Sequence, residues 1–398
     1  MARRGVHVVV DAAATMPPFR PPSSELENPL PPWLREANSN REYHHVPRTV
    51  LHDREKRRVA SANASRPSQD RKPSDKAINN NAYAVSVGAS PGNAFFNRYV
   101  GLEPYDWNRV RVPGAPGGPD RYLNASWVRE VLGGRWWIAA QAPLPKTMHP
   151  FLSLFIPTTP NAPRIRTVVQ ITSAVREADP YFPDSLTDVW AINPEPHTAA
   201  AGHALSPIEV RVLKQKSVPE MACIKSTIAL TAHLGPAATT PITVRVTHLL
   251  YRSWPDAGVP EDPAARSALL NLLDSLDSIN RPDPDSPENT ICPDPPILVH
   301  CSAGVGRTGT FIALASLLRA HGILGSPFDE RPPPVPLSPL GPLPEEVLGD
   351  QVVEEIDGLR EQRLNMVETT EQTSFLYRML AEAIEERSWE ESNAKRNA

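Results

Sequence analysis

Apolar and polar positions alternate along much of this chain, and the period of the alternation changes from segment to segment. Thr167–Ile171, Ile208–Leu213, Ile224–Leu230 and Ile242–Leu250 alternate with a period of two or form short apolar runs, which predicts strands. Pro296–Val299 is short and apolar and follows prolines, as a buried strand does. Three segments carry the helical period instead. After Asp262 as N-cap and Pro263 as first helical residue, Leu269, Leu270, Leu272, Leu273, Leu276 and Ile279 form one buried face. Thr308–His321 has an apolar stripe at Phe311, Ile312, Leu314, Ala315 and Leu318, and Gly322 stops it. Thr370–Arg387 turns Phe375, Leu376, Met379, Leu380, Ala383 and Ile384 inward. A further helix is predicted over Pro47–Ala62. Strands alternating with helices imply an α/β domain.

Composition changes this picture in one respect. The chain has 46 prolines in 398 residues, more than twice the usual share of about 5%. They gather in connecting segments. Residues 1–40 read as a Pro-rich disordered tail, 41–75 as a basic N-terminal helical segment, 76–388 as the main domain and 389–398 as a C-terminal tail. Pro-rich insertions are expected at 281–296 and 325–345. The plainer reading of these is solvated insertions, and the sharper one is docking to SH3/WW-type aromatic grooves. The net charge of −4 gives no global field for nucleic acid. No apolar run approaches the about 18 residues of a membrane span, and the start is too brief for a secretory signal. Cys223, Cys292 and Cys301 cannot form a disulfide framework. A cytoplasmic monomer is expected, with the nucleus also open to it.

The chemistry concentrates in Val299-His-Cys-Ser-Ala-Gly-Val-Gly-Arg-Thr-Gly309, between a predicted strand and a predicted helix. A loop of small residues there can turn its N–H groups inward at the positive end of the helix, an anion cradle. The same donors and dipole favour a thiolate at Cys301. Arg307 adds a planar fork that matches a phosphoryl group. A cation at a helix start conflicts with the dipole, which suggests that it serves a bound anion. Gly304-Val-Gly-Arg-Thr-Gly309 also fits the dinucleotide pattern G-x-G-x-x-G. That pattern wants an acidic residue roughly 20 residues later, at the end of a strand, and a proline tract stands there instead. Thiolate, cradle and arginine together describe attack on a phosphate ester.

His300-Cys-Ser-Ala-Gly-Val-Gly-Arg307-Thr resembles the signature of the classical cysteine-dependent protein tyrosine phosphatases. Further segments match in the family's order: Asn97-Arg-Tyr99 with Pro104-Tyr-Asp106, then Tyr122–Ser126, Gln141–Leu144 and Trp254-Pro-Asp256. Arg360 and Arg363 leading to Met366-Val367 are similar to the approach to the family's water-positioning loop. The likeness covers roughly residues 75–388 and has the look of a fungal member in its insertions. It implies one large domain with a twisted mixed sheet, helices on both faces and the active-site loop between a strand and a helix N-terminus. It also implies a protein-tyrosine phosphatase that needs no cofactor or metal and acts on phosphotyrosine-containing proteins.

By this resemblance Cys301 is the nucleophile, Asp256 the general acid and Arg307 the phosphate clamp. Ser302, Ala303, Gly304, Val305 and Gly306 form the cradle. Thr308 would donate its hydroxyl to the cysteine sulfur, or cap the helix. His300 would order the loop, and Tyr99 would line a deep cleft that excludes phosphoserine. Lys146 and the basic stretch near Arg54–Arg58 read as solvated. There are departures. Gly101 replaces an aspartate that holds the substrate backbone, and Ala257 replaces a bulky residue. Ser173–Phe182 is short, though Glu177 offers a partner for Arg307. Glu368 replaces the water-positioning glutamine; Gln372, the second glutamine, survives and can complete a capping box with Thr369. These departures leave an alternative open, a phosphotyrosine-binding module with weak or no turnover. A phosphoinositide phosphatase fits less well, because Ser302, Ala303 and Val305 add no positive charge.

Overall fold

The computed structural model describes residues 28–67, 81–114, 118–159, 164–173, 177–195, 205–233, 240–281, 292, 294–327 and 337–396. Its centre is an eight-stranded sheet: β1 (Ala125–Arg129), β2 (Trp136–Ala140), β3 (Thr167–Ile171), β4 (Val189–Ile192), β5 (Ile208–Val218), β6 (Cys223–Ala232), β7 (Ile242–Tyr251) and β8 (Ile297–His300). The spatial order is β1-β2-β8-β3-β7-β6-β5-β4. The inner strands β2, β8, β3 and β7 are parallel, and antiparallel strands extend the sheet on both sides. Every residue of β8 is buried, as a strand covered on both faces requires. β8 therefore delivers Cys301 to the carboxyl end of the parallel set, where open α/β sheets place their ligands.

The helices are α1 (Pro32–Ser39), α2 (His45–Ala64), α3 (Met148–Ser153), α4 (Pro263–Asn280), α5 (Gly306–Ala320), α6 (Gln351–Arg360) and α7 (Thr370–Arg396). Asp262 caps α4, with its carboxylate accepting from the Ala264 N–H at 3.0 Å. The expected stripe on the helix after the signature understates its burial. Every residue from Gly306 to Arg319 is buried, because α5 lies between the sheet and α6 and α7. One apolar cluster joins α4–α7 to one sheet face, and a second joins α3 to the other.

Four expectations need correction. Residues 28–40 are not tail: Pro32 starts α1 at its first position, and Leu30, Leu34 and Ala37 are buried in the core. The C-terminal residues 389–396 continue α7 rather than fray from it. Residues 337–345 are docked, with Arg54 donating to the Gly341 carbonyl at 2.9 Å and Ser338 to Glu361 at 2.7 Å. Arg54 and Arg58 are not solvated. Arg58 is fully buried between Glu55, Asp357 and Glu361, which locks α2 onto α6. A lone arginine could not be buried there, but three carboxylates replace its water. Residues 1–27, the tract 282–291 and the proline run 331–336 lie outside the described residues.

Candidate active site

The loop from Cys301 to Val305 leaves β8 and enters α5 at Gly306. Its carbonyl groups are held from outside by one buried arginine. Arg363 Nε donates to the Gly304 carbonyl at 2.8 Å, and Nη2 to that of Ala303 at 3.3 Å. Asn124 Oδ1, just before β1, and Ser126 Oγ within it anchor the same guanidinium. Burial lowers the Arg363 pKa to about 10, so it remains a cation at neutral pH. A peptide whose carbonyl is held on one side turns its N–H to the other, so Arg363 shapes the loop. The Gly304 N–H points at Cys301 Sγ, 3.2 Å away. Cys301 itself is buried.

Gly304 has φ +74°, and a Cβ built there would sit 2.1 Å from the Ala140 carbonyl oxygen. Gly304→Ala is therefore expected to abolish phosphate binding and to cost roughly 2–5 kcal/mol of stability. A thermal melt with and without vanadate checks both.

His300 is buried, and burial lowers its pKa to about 4, so the ring is neutral. Its Nδ1–H donates to the Cys301 carbonyl at 3.0 Å, while Nε2 accepts from the Tyr181 hydroxyl at 3.0 Å. The ring thus orders the loop, as expected. Tyr99 is half-exposed and shares a 2.8 Å hydrogen bond with Ser302 Oγ, which stands it at the rim of the loop. Gln141 fastens that rim: it accepts from the Arg98 N–H at 2.8 Å and donates to the Phe96 carbonyl at 2.8 Å.

Arg307 is buried and holds two carboxylates. Glu177 pairs with Nη1 and Asp256 with Nη2, the latter at 2.6 Å. Asp256 is brought there by a turn hung from Trp254, a buried side chain whose Nε1 donates to the Gly258 carbonyl at 2.8 Å. Ala257 within it has φ +55°, a strained position for a residue with a Cβ. Thr308 departs from expectation. Its hydroxyl is buried without a partner and makes no bond to Cys301, and as the third residue of α5 it is not the cap, a position held by Val305.

Glu368 is exposed as a residue, but its Oε2 lies 3.0 Å from where a Gly306 Cβ would be. Its pKa is raised by burial and then by Asp256, against an opposing effect of Arg307. Gln372 makes the capping contacts: Oε1 accepts from the N–H groups of Glu368 and Thr369, and its own N–H donates to Thr369 Oγ1 at 3.1 Å. Gln372 Nε2 is buried with no partner and lies against Gly306. Arg360 ties the loop between α6 and α7 down by donating to the carbonyls of Met366 and Val367. That loop needs the restraint, because Asn365 and Val367 both have positive φ.

The site therefore unites Cys301, Arg307, Asp256, Tyr99, Glu368 and Gln372 around one loop. The brace Arg363 and the clamp Gln141 appear in the sequence only within segments that resemble the family, without these roles. Neither stands at a diagnostic spacing from Cys301, and both act through folded-chain contacts.

The protein-tyrosine phosphatase family model matches residues 93–322, and a phosphatase-domain model described as a Swiss Army Knife DSP-PTPase matches 276–376. The chain belongs to the protein-tyrosine phosphatase family. It is 30% identical over 304 residues to human tyrosine-protein phosphatase non-receptor type 14, covering 75% of this chain and 22% of that protein. It is 30% identical over 237 residues to mouse receptor-type tyrosine-protein phosphatase C, covering 59% and 16%. The chain thus spans about a fifth of the length of these relatives. A solved structure of PTPN18 in complex with HER2-pY1248 phosphopeptides shares the fold. Its TM-score is 0.51 and its identity 23%, over 74% of this chain and 90% of that one. No described helix is long and apolar enough to cross a membrane.

Proposed function

We propose that this chain is a protein-tyrosine phosphatase that works through a cysteinyl-phosphate intermediate. The observation that carries the proposal is the convergence of Cys301, Arg307 and Asp256 on a loop whose carbonyls are held outward by Arg363. In the first step Cys301 Sγ attacks phosphorus as the bond to the tyrosyl oxygen breaks, and Asp256 gives that oxygen a proton. In the second step water attacks phosphorus, the P–S bond breaks, and Asp256 takes back a proton. Arg307 and the loop N–H groups carry the transferring phosphoryl charge. Tyr99 at the rim sets the depth that a phosphotyrosine ring reaches and a phosphoserine does not. A nucleophilic thiol suits the reducing interior of a cell, and phosphotyrosine-bearing proteins are the substrate class. Turnover of p-nitrophenyl phosphate that persists in the presence of a chelator tests the assignment; loss of turnover on chelation counts against it.

A second reading, a phosphotyrosine-binding module, draws on Glu368. A neutral amide both donates to and accepts from the attacking water, whereas an ionised carboxylate only accepts and repels the phosphoryl group. At an effective dielectric of about 20 that repulsion amounts to a few kcal/mol. Hydrolysis of the intermediate should therefore limit turnover, and rapid mixing with p-nitrophenyl phosphate should show a burst of phenol before a slow steady state. Glu368→Gln should raise the steady rate and shrink the burst. Because the Glu368 pKa is raised, lowering the pH through it neutralises the carboxylate. The wild-type burst should then shrink toward that of the variant. An absent burst, with the same steady rate in Glu368→Gln, would remove Glu368 from the mechanism.

A further inference from the structure

Among the described residues, the β5–β7 part of one sheet face is left without a helix. α4 and its neighbours cover β3, β8 and the carboxyl end of β7, where Leu249 and Tyr251 join the core. Beyond that boundary the same face of β5, β6 and β7 carries Arg211, Lys214, Lys216, Lys225 and Arg245, with Glu209 as its carboxylate. The register places them in rows. Arg211, Ala229 and Arg245 stand side by side across three strands, and Lys216 lies directly opposite Lys225. Glu209 pairs with Arg211 at 2.8 Å. Among the described residues no carboxylate pairs with Lys214, Lys216 or Lys225. This is a local excess of positive charge on a chain whose net charge is −4.

Like charges directly opposite each other on neighbouring strands destabilise a sheet. Lysines on an edge strand have an ordinary purpose, since they block pairing with another chain. That purpose accounts for Lys214 and Lys216 on β5, which β4 pairs only from Ile208 to Arg211. It does not account for Lys225, because β6 lies inside the sheet between β5 and β7. Its pKa is lowered by burial and by Lys216, which agrees with an uncompensated cation. Lysine concentrated at a position that costs stability points to an anion that repays it.

We infer that this bare face of β5–β7 docks an acidic, extended segment of a partner protein, away from the catalytic loop. The charge pattern selects the partner. Lys214 and Lys216 lie two residues apart on one face, roughly 7 Å along the strand. That is the repeat at which alternate residues of an extended peptide present their carboxylates. Between the cations stand Thr227, Thr243 and Thr247, which offer hydroxyls rather than an apolar wedge for lipid chains. Docking here would hold a phosphoprotein near the cleft and raise its effective concentration there.

The test reads binding, not catalysis, so it stands apart from the phosphatase assignment. A fluorescein-labelled peptide of six Glu-Ser repeats is titrated with the full chain by anisotropy, with saturating vanadate occupying the catalytic loop. Binding is expected at about 50 mM salt and weakening at about 300 mM, where screening shortens. Lys214→Glu with Lys216→Glu should weaken it at least about tenfold. Lys214→Gln with Lys216→Gln should weaken it less. In the first variant the carboxylate introduced on β5 would face Lys225 as an ion pair, so its thermal midpoint should match or exceed the wild type, and p-nitrophenyl phosphate turnover should stay unchanged in both. Equal peptide binding by wild type and the charge-reversed variant overturns the inference. So does binding to phosphatidylserine vesicles without binding to the peptide.

Discussion

Cys301→Ser should abolish turnover and leave phosphotyrosine binding in place. The sulfur is the only atom of the cradle that forms a bond to phosphorus in the proposed reaction. The groups that hold the phosphoryl oxygens are separate from it: the inward N–H groups set by Arg363 and the guanidinium of Arg307. A serine hydroxyl is a far weaker nucleophile than a thiolate. Among the described residues, the imidazole beside the loop is already committed. His300 Nε2 accepts from Tyr181, its Nδ1–H donates to the Cys301 carbonyl, and burial keeps it neutral. Loss on the order of 10⁴-fold or more in kcat is therefore expected, with a phosphotyrosine peptide still retained in a pull-down or by calorimetry. Iodoacetate should inactivate the wild type, and vanadate should protect it. Undiminished turnover by the serine variant would sink the nucleophile assignment. Loss of peptide binding together with turnover would instead show that Cys301 Sγ, which the Gly304 N–H approaches, is needed to keep the loop in shape.

How much of this was legible before folding follows from where each constraint lies. The signature segment was legible because its chemistry is local: strand, small-residue loop, arginine and helix are consecutive, so spacing alone places Cys301 against Arg307. Strands β3, β5, β6 and β7 were legible because each shows its period in the sequence. β5 runs five residues further than its apolar pattern, through Lys214, Gln215 and Lys216, since pairing with β6 rather than burial holds that end. α1 was hidden by its prolines. Pro29, Pro31 and Pro32 look like a tail, yet Pro32 is compatible with a first helical turn, and only contact with α7 decides the matter. Arg58 was hidden for the opposite reason. Its three carboxylate partners include Asp357 and Glu361, about 300 residues away along the chain, and nothing local separates a buried arginine from a solvated one. The same holds for Arg363, whose work on the Ala303 and Gly304 carbonyls exists only once α6 has packed beside the loop. Thr308 shows a limit of carrying a role over by resemblance: the residue is where the pattern wants it, but its hydroxyl has no partner.

Asp256→Ala should slow phosphotyrosine hydrolysis by about 10² or more, and should hurt p-nitrophenyl phosphate much less. A tyrosyl oxygen leaves as a poor anion, with a pKa of about 10 when free, so protonating it lowers the barrier. A nitrophenolate leaves readily without a proton. The position of Asp256 sharpens the expectation. It lies on Arg307 Nη2 at 2.6 Å, on the guanidinium that the phosphoryl group would use, while Glu177 occupies the other amino nitrogen. In the proposed reaction phosphate and Asp256 compete for one edge of Arg307. When phosphate takes that edge, the carboxylate must turn toward the leaving oxygen, on the turn that Trp254 anchors. Removing Asp256 then has two opposite effects. It removes the proton donor, which lowers kcat. It also frees Arg307, which should tighten ground-state binding, so KM for phosphotyrosine should fall together with kcat. A structural aspartate would behave otherwise: its loss would depress kcat equally for good and poor leaving groups and would not lower KM. Steady-state kinetics on a series of aryl phosphates of graded leaving-group pKa separates the two. A steeper dependence of kcat/KM on leaving-group pKa in Asp256→Ala than in the wild type supports the acid role, and an unchanged slope refutes it.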